Sequence, residues 1–129
     1  MEILTFKLGD EPFGISISLV EAIEHMVPIT YVPKARSHIA GLINIRGNIV
    51  PAIDLSKLFK LSREIENAKL ILIRYDNQEL GLMVDEVEDV IEINEDDIES
   101  ISQEAGEFSI INYGDRVITY ISEKQINLI

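Results

Sequence analysis

Few residues in this chain have the types and spacing that chemistry needs. There are two histidines and no cysteine, which leaves thiolate zinc sites, iron–sulfur clusters, His-rich metal sites and cysteine nucleophiles without their side chains. His25 and His38 each read as solvent-facing or core-edge residues. No G-x-S-x-G, H-E-x-x-H, P-loop, G-x-G-x-x-G or EF-hand loop occurs. The acidic stretch from Asp85 through Glu99 has oxygen ligands to offer, but its carboxylates alternate with valines and isoleucines as on a half-buried strand, so a solvated face is expected. Arg46 is different in kind. It stands in Asn44-Ile45-Arg46-Gly47-Asn48 beside a tight turn, and its guanidinium offers planar donors to a carboxylate, either one of this chain's own or one on a partner. Alternation along a strand puts Asn44 and Arg46 on one face. Val20 and Val87 sit among acidic residues, and core packing is their default role.

The elements that must position these residues are mostly extended. Glu2 to Leu8 and Phe13 to Ile17 alternate as strands around the turn residues Gly9-Asp10-Glu11-Pro12. Residues 29 to 33 form a short extended piece between Pro28 and Pro33. Leu42 to Arg46 and Ile49 to Ile53 read as a hairpin closed by Gly47-Asn48, with glycine suiting a type II′ turn, and Pro51 marks the second strand as an edge or a bulge. Asp54 is the expected N-cap of a short helix bearing Leu55, Leu58 and Phe59. Residues 62 to 68 are polar and linker-like. KLILIRY, ELGLMVDEV and DVIEI follow as strands. Asn94 then opens a helix that places Asp96 and Asp97 in its first turn, with Ile98 and Ile101 on one face. SIINY and RVITYI form a last hairpin around Gly114-Asp115, before a helical turn with the capping box Ser122 and Gln125.

Composition supports an all-β class with a few short helices. Isoleucine occurs 23 times and valine 8 times against 6 alanines, a balance that favours pleated surfaces. A chain of 129 residues buries a core without staples. The formal net charge of -12 repels phosphate backbones and anionic lipid, so neither nucleic acid nor a membrane surface is an expected partner. No apolar run is long enough to span a bilayer and no signal peptide is evident, so an intracellular, cytoplasmic protein is expected.

A shift of 67 residues gives a weak internal match. It pairs Phe13-Gly14-Ile15 with Leu80-Gly81-Leu82, Val20-Glu21 with Val87-Glu88, and Gly47-Asn48 with Gly114-Asp115. Two similar β units in tandem are expected, roughly 1–67 and 68–129, each of about five short strands, with exchange of strands between them allowed and a groove where they meet.

The run from Ile39 to Leu55 contains Gly41, Asn44, Arg46-Gly47, Ile49, Pro51 and Asp54-Leu55, and closely resembles the G-x-x-N-x-R-G-x-I-x-P-x-x-D-L signature of the CheW-like domain family. Phe6-x-Leu8-Gly9-Asp10-Glu11-x-Phe13-Gly14-Ile15, Val32-Pro33 and Gly81-Leu82-Met83-Val84-Asp85-Glu86-Val87 extend the resemblance over nearly the whole chain. The resemblance implies one domain, 1–129, of two intertwined SH3-like five-stranded β-barrels. It also implies a non-catalytic chemotaxis adaptor with no cofactor, no metal and no obligate homo-oligomer. Its partners would be the cytoplasmic tips of methyl-accepting chemoreceptors and the regulatory domain of the histidine kinase CheA, and it would be recruited to membrane-associated receptor arrays. By position in the motifs, Asn44, Arg46 and Val87 would serve receptor binding, and Val20 and Gly41 kinase binding. The chain departs from the family's frequent Val-x-Glu-Ile by reading Val20-Glu21-Ala22-Ile23. An adaptor of a different chemosensory pathway is the alternative within the same family. A hydrolase with paired carboxylates and an OB-like oligonucleotide binder are the alternatives outside it, and they would reveal themselves by turnover or by salt-sensitive binding of single strands.

Overall fold

Hydrogen bonding in the computed structural model, which describes residues 1–61, 68–103, 106–127 and 129, sorts eleven strands into two sheets. In chain order the strands are β1 (Glu2–Leu8), β2 (Glu11–Ser16), β3 (Val20–His25), β4 (Ile39–Ile45), β5 (Asn48–Asp54), β6 (Lys69–Tyr75), β7 (Gln78–Val84), β8 (Glu86–Glu92), β9 (Ile98–Gln103), β10 (Gly106–Tyr113) and β11 (Arg116–Ile121). Two single-turn helices follow hairpins, α1 (Leu55–Leu58) after β5 and α2 (Glu123–Ile126) after β11. The linker-like stretch of the sequence falls, apart from Ala68, on residues outside those described.

One sheet has the order β8-β1-β2-β11-β10-β9 and the other β3-β6-β7-β5-β4. Residues of the first half of the chain therefore supply β1 and β2 to one sheet and β3, β4 and β5 to the other. The second half does the reverse. The exchange is sealed by two equivalent parallel pairings, β11 on β2 through Ile121 and Ile15, and β5 on β7 through Ile53 and Leu82. All other neighbouring strands are antiparallel.

Both sheets are strongly curled. Arg46, at the tip of the β4–β5 hairpin, pairs with Glu24 on β3 at the opposite edge of its sheet. Arg116 on β11 reaches Glu88 on the edge strand β8 at 3.2 Å. The curl encloses a core inside each sheet. Ile43, Val50, Ala52 and Leu70 fill one, and Ile3, Ile93, Ile111 and Ile118 the other. The largest cluster lies between the sheets and mixes both halves of the chain: Phe6, Ile15, Ile53 and Leu55 pack with Ile71, Ile73, Leu82 and Ile121. Each such side chain contributes about 1.5–3 kcal/mol on leaving water.

Several local expectations are revised. The two-residue loop of the β4–β5 hairpin is Arg46-Gly47, with φ of 53° and 87°, and not Gly47-Asn48. Two positive φ values define a type I′ turn, so Arg46 leaves the strand and its alternation with Asn44. The corresponding turn before β11 is Gly114-Asp115, so the repeat offset is 68 at this pair of hairpins although it is 67 from β1 to β6. Segment 94–101 is a 3-10 turn at Glu95–Asp97 followed by β9. Ile98 and Ile101 are β-branched, and the exposed edge of β10 offers a ladder that local spacing does not reveal. The chain about 67 residues before β9 contains Pro33, which lacks a donor. There only the bridge Thr30–Leu42 forms, which is why one sheet has six strands and the other five. β3 was not marked by the sequence, although its residues alternate half-buried and exposed. Pro51 lies in a strand with neighbours on both sides, but pairing of β5 with β7 begins only at Ala52, so the missing N–H costs no ladder bond to β7. Asp54 Oδ1 caps α1 by accepting from the Lys57 N–H at 3.3 Å, and Gln125 Oε1 accepts from the Ser122 N–H at 2.8 Å, both as expected.

Candidate functional site

The β4–β5 hairpin and the chain between β3 and β4 frame an open groove lined by Val27, Pro28, Thr30, Leu42, Asn44 and Ile49, so it lies within the first unit and not at the expected place where the two units meet. Its walls are apolar apart from Thr30 and Asn44. Ile49 stands 63% exposed at its rim, which makes it a large apolar side chain available for contact. Val27 and Asn44 continue into a second depression shared with Glu24, His25, Ile45 and Arg46. The two form one surface, apolar at one end and charged at the other.

Asn44 has a local task. Its Oδ1 accepts from the Gly47 N–H at 2.9 Å and steadies the turn that presents Arg46. Arg46 is 75% exposed while its partner Glu24 is only 27% exposed, so the carboxylate is set into the wall and the guanidinium lies over it. An exposed pair of this kind adds at most about 1 kcal/mol to stability. Arg46 therefore remains available to a second acceptor, since its fork has more donors than one carboxylate engages. Glu24, Val27 and Thr30 had no signal in the sequence, and Ile49 had only its place in the signature. Only the folding of β3 against the hairpin selects Glu24 from 23 acidic residues.

The other three candidates lie elsewhere. Val87, on β8 of the six-stranded sheet, and Val20, at the start of β3 in the five-stranded sheet, are both half-buried and pack against the cluster between the sheets. They are equivalent in the repeat, and neither lines the Arg46 groove. Gly41 is enclosed. A Cβ on it would come within 2.3 Å of the Thr30 carbonyl oxygen and 2.5 Å of Ile29 Cγ2, so the close approach of residues 29–30 to β4 requires glycine here.

Electrostatics elsewhere are structural. Arg74 on β6 sits between Glu21 of β3 and Glu79 of β7. Hydrogen bonding to Arg74 holds the Glu21 carboxyl below its ordinary range, whereas hydrogen bonding with Glu21 raises Glu79. The acidic stretch serves the fold: Asp85 Oδ2 accepts from the Gly9 N–H at 2.6 Å, and Thr5 Oγ1 exchanges bonds with the Asp89 backbone at 3.0 and 3.1 Å. His25 is exposed with Nδ1 3.0 Å from Lys69 Nζ, and His38 is buried. Among the described residues no three His, Asp or Glu side chains gather to hold a metal ion, and no helix is long and apolar enough to cross a membrane.

Comparison with known proteins shows what the chain is similar to. A family model described as the CheW-like domain matches residues 2–126. The chemotaxis protein CheW of Thermotoga maritima is 30% identical over 97% of this chain and 86% of its own length. That of Bacillus subtilis is 38% identical over 77% of this chain and 65% of its own. A crystal structure of the scaffolding protein TtCheW from Thermoanaerobacter tengcongensis superposes with a TM-score of 0.81 at 32% identity, covering 94% of this chain and 83% of that one.

Proposed function

The chain belongs to the CheW-like domain family, and from that premise we propose how it works as a coupling adaptor of chemotaxis. It links two proteins without making or breaking a bond itself. One partner is the cytoplasmic tip of a methyl-accepting chemoreceptor, a helical hairpin that lays an apolar stripe into the groove of Val27, Pro28, Leu42 and Ile49. Arg46 fixes its register by offering the donors left free by Glu24 to an acidic or carbonyl group on the hairpin. The other partner is the histidine kinase CheA, whose regulatory domain engages the surface of β3 and β4 around Val20 and Gly41. Val87 contributes to receptor binding from the second sheet, next to the shared cluster through which the two sheets hold each other.

In this reading residues 1–129 act as one domain. The halves 1–67 and 68–129 are barrel-like units made inseparable by exchanged strands, and a displacement at one sheet is transmitted through a packed core rather than a hinge. The protein works in the cytoplasm, at the membrane-associated receptor array, and catalyses nothing.

The observation that carries the reading is the continuous groove ending on Arg46, within a chain that matches the family from residue 2 to residue 126. Co-purification from native cells tests it, since receptor and kinase should both be recovered with the wild type. Arg46→Glu should lose the receptor and keep the kinase, and receptor retained by that folded variant would remove Arg46 from the site.

A further inference from the structure

Residues 26–38 run from β3 to β4 as a strap across the five-stranded sheet. Midway, the Thr30 N–H donates to the Leu42 carbonyl and the Leu42 N–H to the Thr30 carbonyl, both at 2.8 Å. At its end the Asp54 N–H donates to the His38 carbonyl at 2.7 Å. Around these points the backbone of the strap makes few bonds. Pro28 and Pro33 lack donors, Ile29, Tyr31 and Lys34 are exposed, and the other backbone bonds here are Ala35 N–H to Val32 O at 3.5 Å and Ile39 N–H to Arg36 O at 2.9 Å. A segment with so few buried contacts opens at a lower free energy than the strands beneath it.

His38 is the one buried residue of the strap. It is 9% exposed, and its Nε2 has no hydrogen-bond partner among the described residues. The ring is therefore accommodated as neutral imidazole. Burial, with the Arg36 charge adding to it, pushes its pKa below the ordinary value of 6.5. The charged groups beside it give an imidazolium no relief. Arg36 on the strap is cationic, and the Asp54 carboxylate at the end of β5, whose N–H bonds the His38 carbonyl, is engaged as the cap of α1.

We propose that His38 is a pH-sensitive latch: protonation of its imidazole expels the ring from its site, releases the strap over residues 28–38 and dismantles the groove wall formed by Pro28 and Thr30. Unprotonated, the ring fills its site and the strap stays closed over Gly41. Charged, it is solvated only when the strap lifts, and the two bonds at residue 30 and the one at residue 38 are what must open. The consequence for docking rests on the groove being the receptor site, whereas the latch is tested without any partner.

Amide hydrogen exchange followed by NMR between pH 7.5 and 5.5 reads the latch directly, with each rate corrected for intrinsic exchange. In the wild type, protection at the Leu42 and Asp54 amides should fall below pH 6.5, by up to about tenfold per pH unit, since one proton drives the opening. The Ile71 amide of β6 serves as the reference that stays protected. His38→Gln should make the Leu42 and Asp54 profiles independent of pH. The wild-type His38 ring, followed by its own proton resonances, should titrate below 6.5, and this measurement stands even if the variant fails to fold. Titration at or above 6.5, flat protection in the wild type, or an unchanged slope in His38→Gln would each overturn the proposal. If the latch holds but receptor recovery is the same at both pH values, the latch is retained and the groove assignment falls.

Discussion

Arg46 and Glu24 join the two edges of one curled sheet, the guanidinium at the tip of the β4–β5 hairpin lying over a carboxylate on β3. The pair closes a barrel and also presents a cation at the end of an apolar groove. Its stability share and its proposed recognition role separate on mutation. Because Arg46 is 75% exposed, Arg46→Glu should cost less than about 1 kcal/mol, a fall in Tm of about 4 °C at most for a domain of this size. Receptor recovery in a pull-down should drop at least tenfold. The exchange Glu24→Arg with Arg46→Glu should restore the melting temperature without restoring the receptor, because the cation then stands on the wrong strand. Recovery of both would make the ion pair, and not the position of the guanidinium, the feature that matters.

Gly41 and Gly47 make a paired test of what a glycine is for. A Cβ at Gly41 meets the Thr30 carbonyl oxygen at 2.3 Å, backbone that cannot yield without losing both Thr30–Leu42 bonds. At Gly47, where φ is 87°, nothing lies within 4 Å, so only backbone strain opposes a side chain. Gly41→Ala should destabilise by about 2–4 kcal/mol and Gly47→Ala by about 1 kcal/mol, as read by chemical denaturation. A Gly41→Ala variant of wild-type stability that fails to bind CheA would shift Gly41 from architecture to direct contact.

What the sequence made readable follows from how local the physics is. The hairpin turns at residues 9–10 and 114–115 were visible because a two-residue loop fixes its own register through turn residues. β3 was not visible. Val20-Glu21-Ala22-Ile23-Glu24-His25 contains good helix formers, and its alternation only becomes meaningful once β6 lies beside it. β9 was mistaken for a helix for a related reason: Ile98 and Ile101 are three apart, and the edge of β10 that recruits them comes later in the chain. At the site, Arg46 was conspicuous because cations are few in a chain of net charge -12. Glu24, the strap and the groove were hidden because each depends on bringing β3 to the far side of its sheet.

Glu21 and Glu79, bridged by Arg74, titrate in opposite senses. Glu21 lies below its ordinary value because Arg74 is hydrogen-bonded to it, so its contribution to stability is present at neutral pH and is lost as pH falls through its lowered pKa. Glu79 lies above its ordinary value because it shares a hydrogen bond with Glu21, so its contribution is present in acid and is lost as pH rises through its raised pKa. NMR titration of the side-chain carboxyl carbons should show the divergence as the behaviour of a coupled pair. Glu21→Gln should bring Glu79 down toward the ordinary value. Arg74→Met should raise both, since Arg74 lowers each of them. Glu79 unmoved by Glu21→Gln would break the assignment of the shared bond.

The exchange of strands makes a final prediction about folding. A fragment of residues 1–67 would hold the β1–β2 hairpin, β3 and the β4–β5 hairpin, but β3 has its ladder with β6 and would lose it, and β5 would lose β7. The complementary fragment 68–129 would keep β6–β7 and β9–β10–β11, while β8 has its ladder with β1 and would lose it. Each fragment would also expose its share of the cluster between the sheets, Phe6, Ile15 and Ile53 from one and Ile71, Leu82 and Ile121 from the other. Isolated hairpins are marginal in water, so neither fragment alone should give a cooperative melt or dispersed amide resonances. Mixed together, they should regain both, with a midpoint that rises with concentration because folding is then bimolecular. The intact chain should melt in one transition, its two sheets sharing strands and a core. A cooperative melt from either fragment by itself would show that the half-chains are autonomous and that the crossed pairings of β2 with β11 and β5 with β7 add little to the fold.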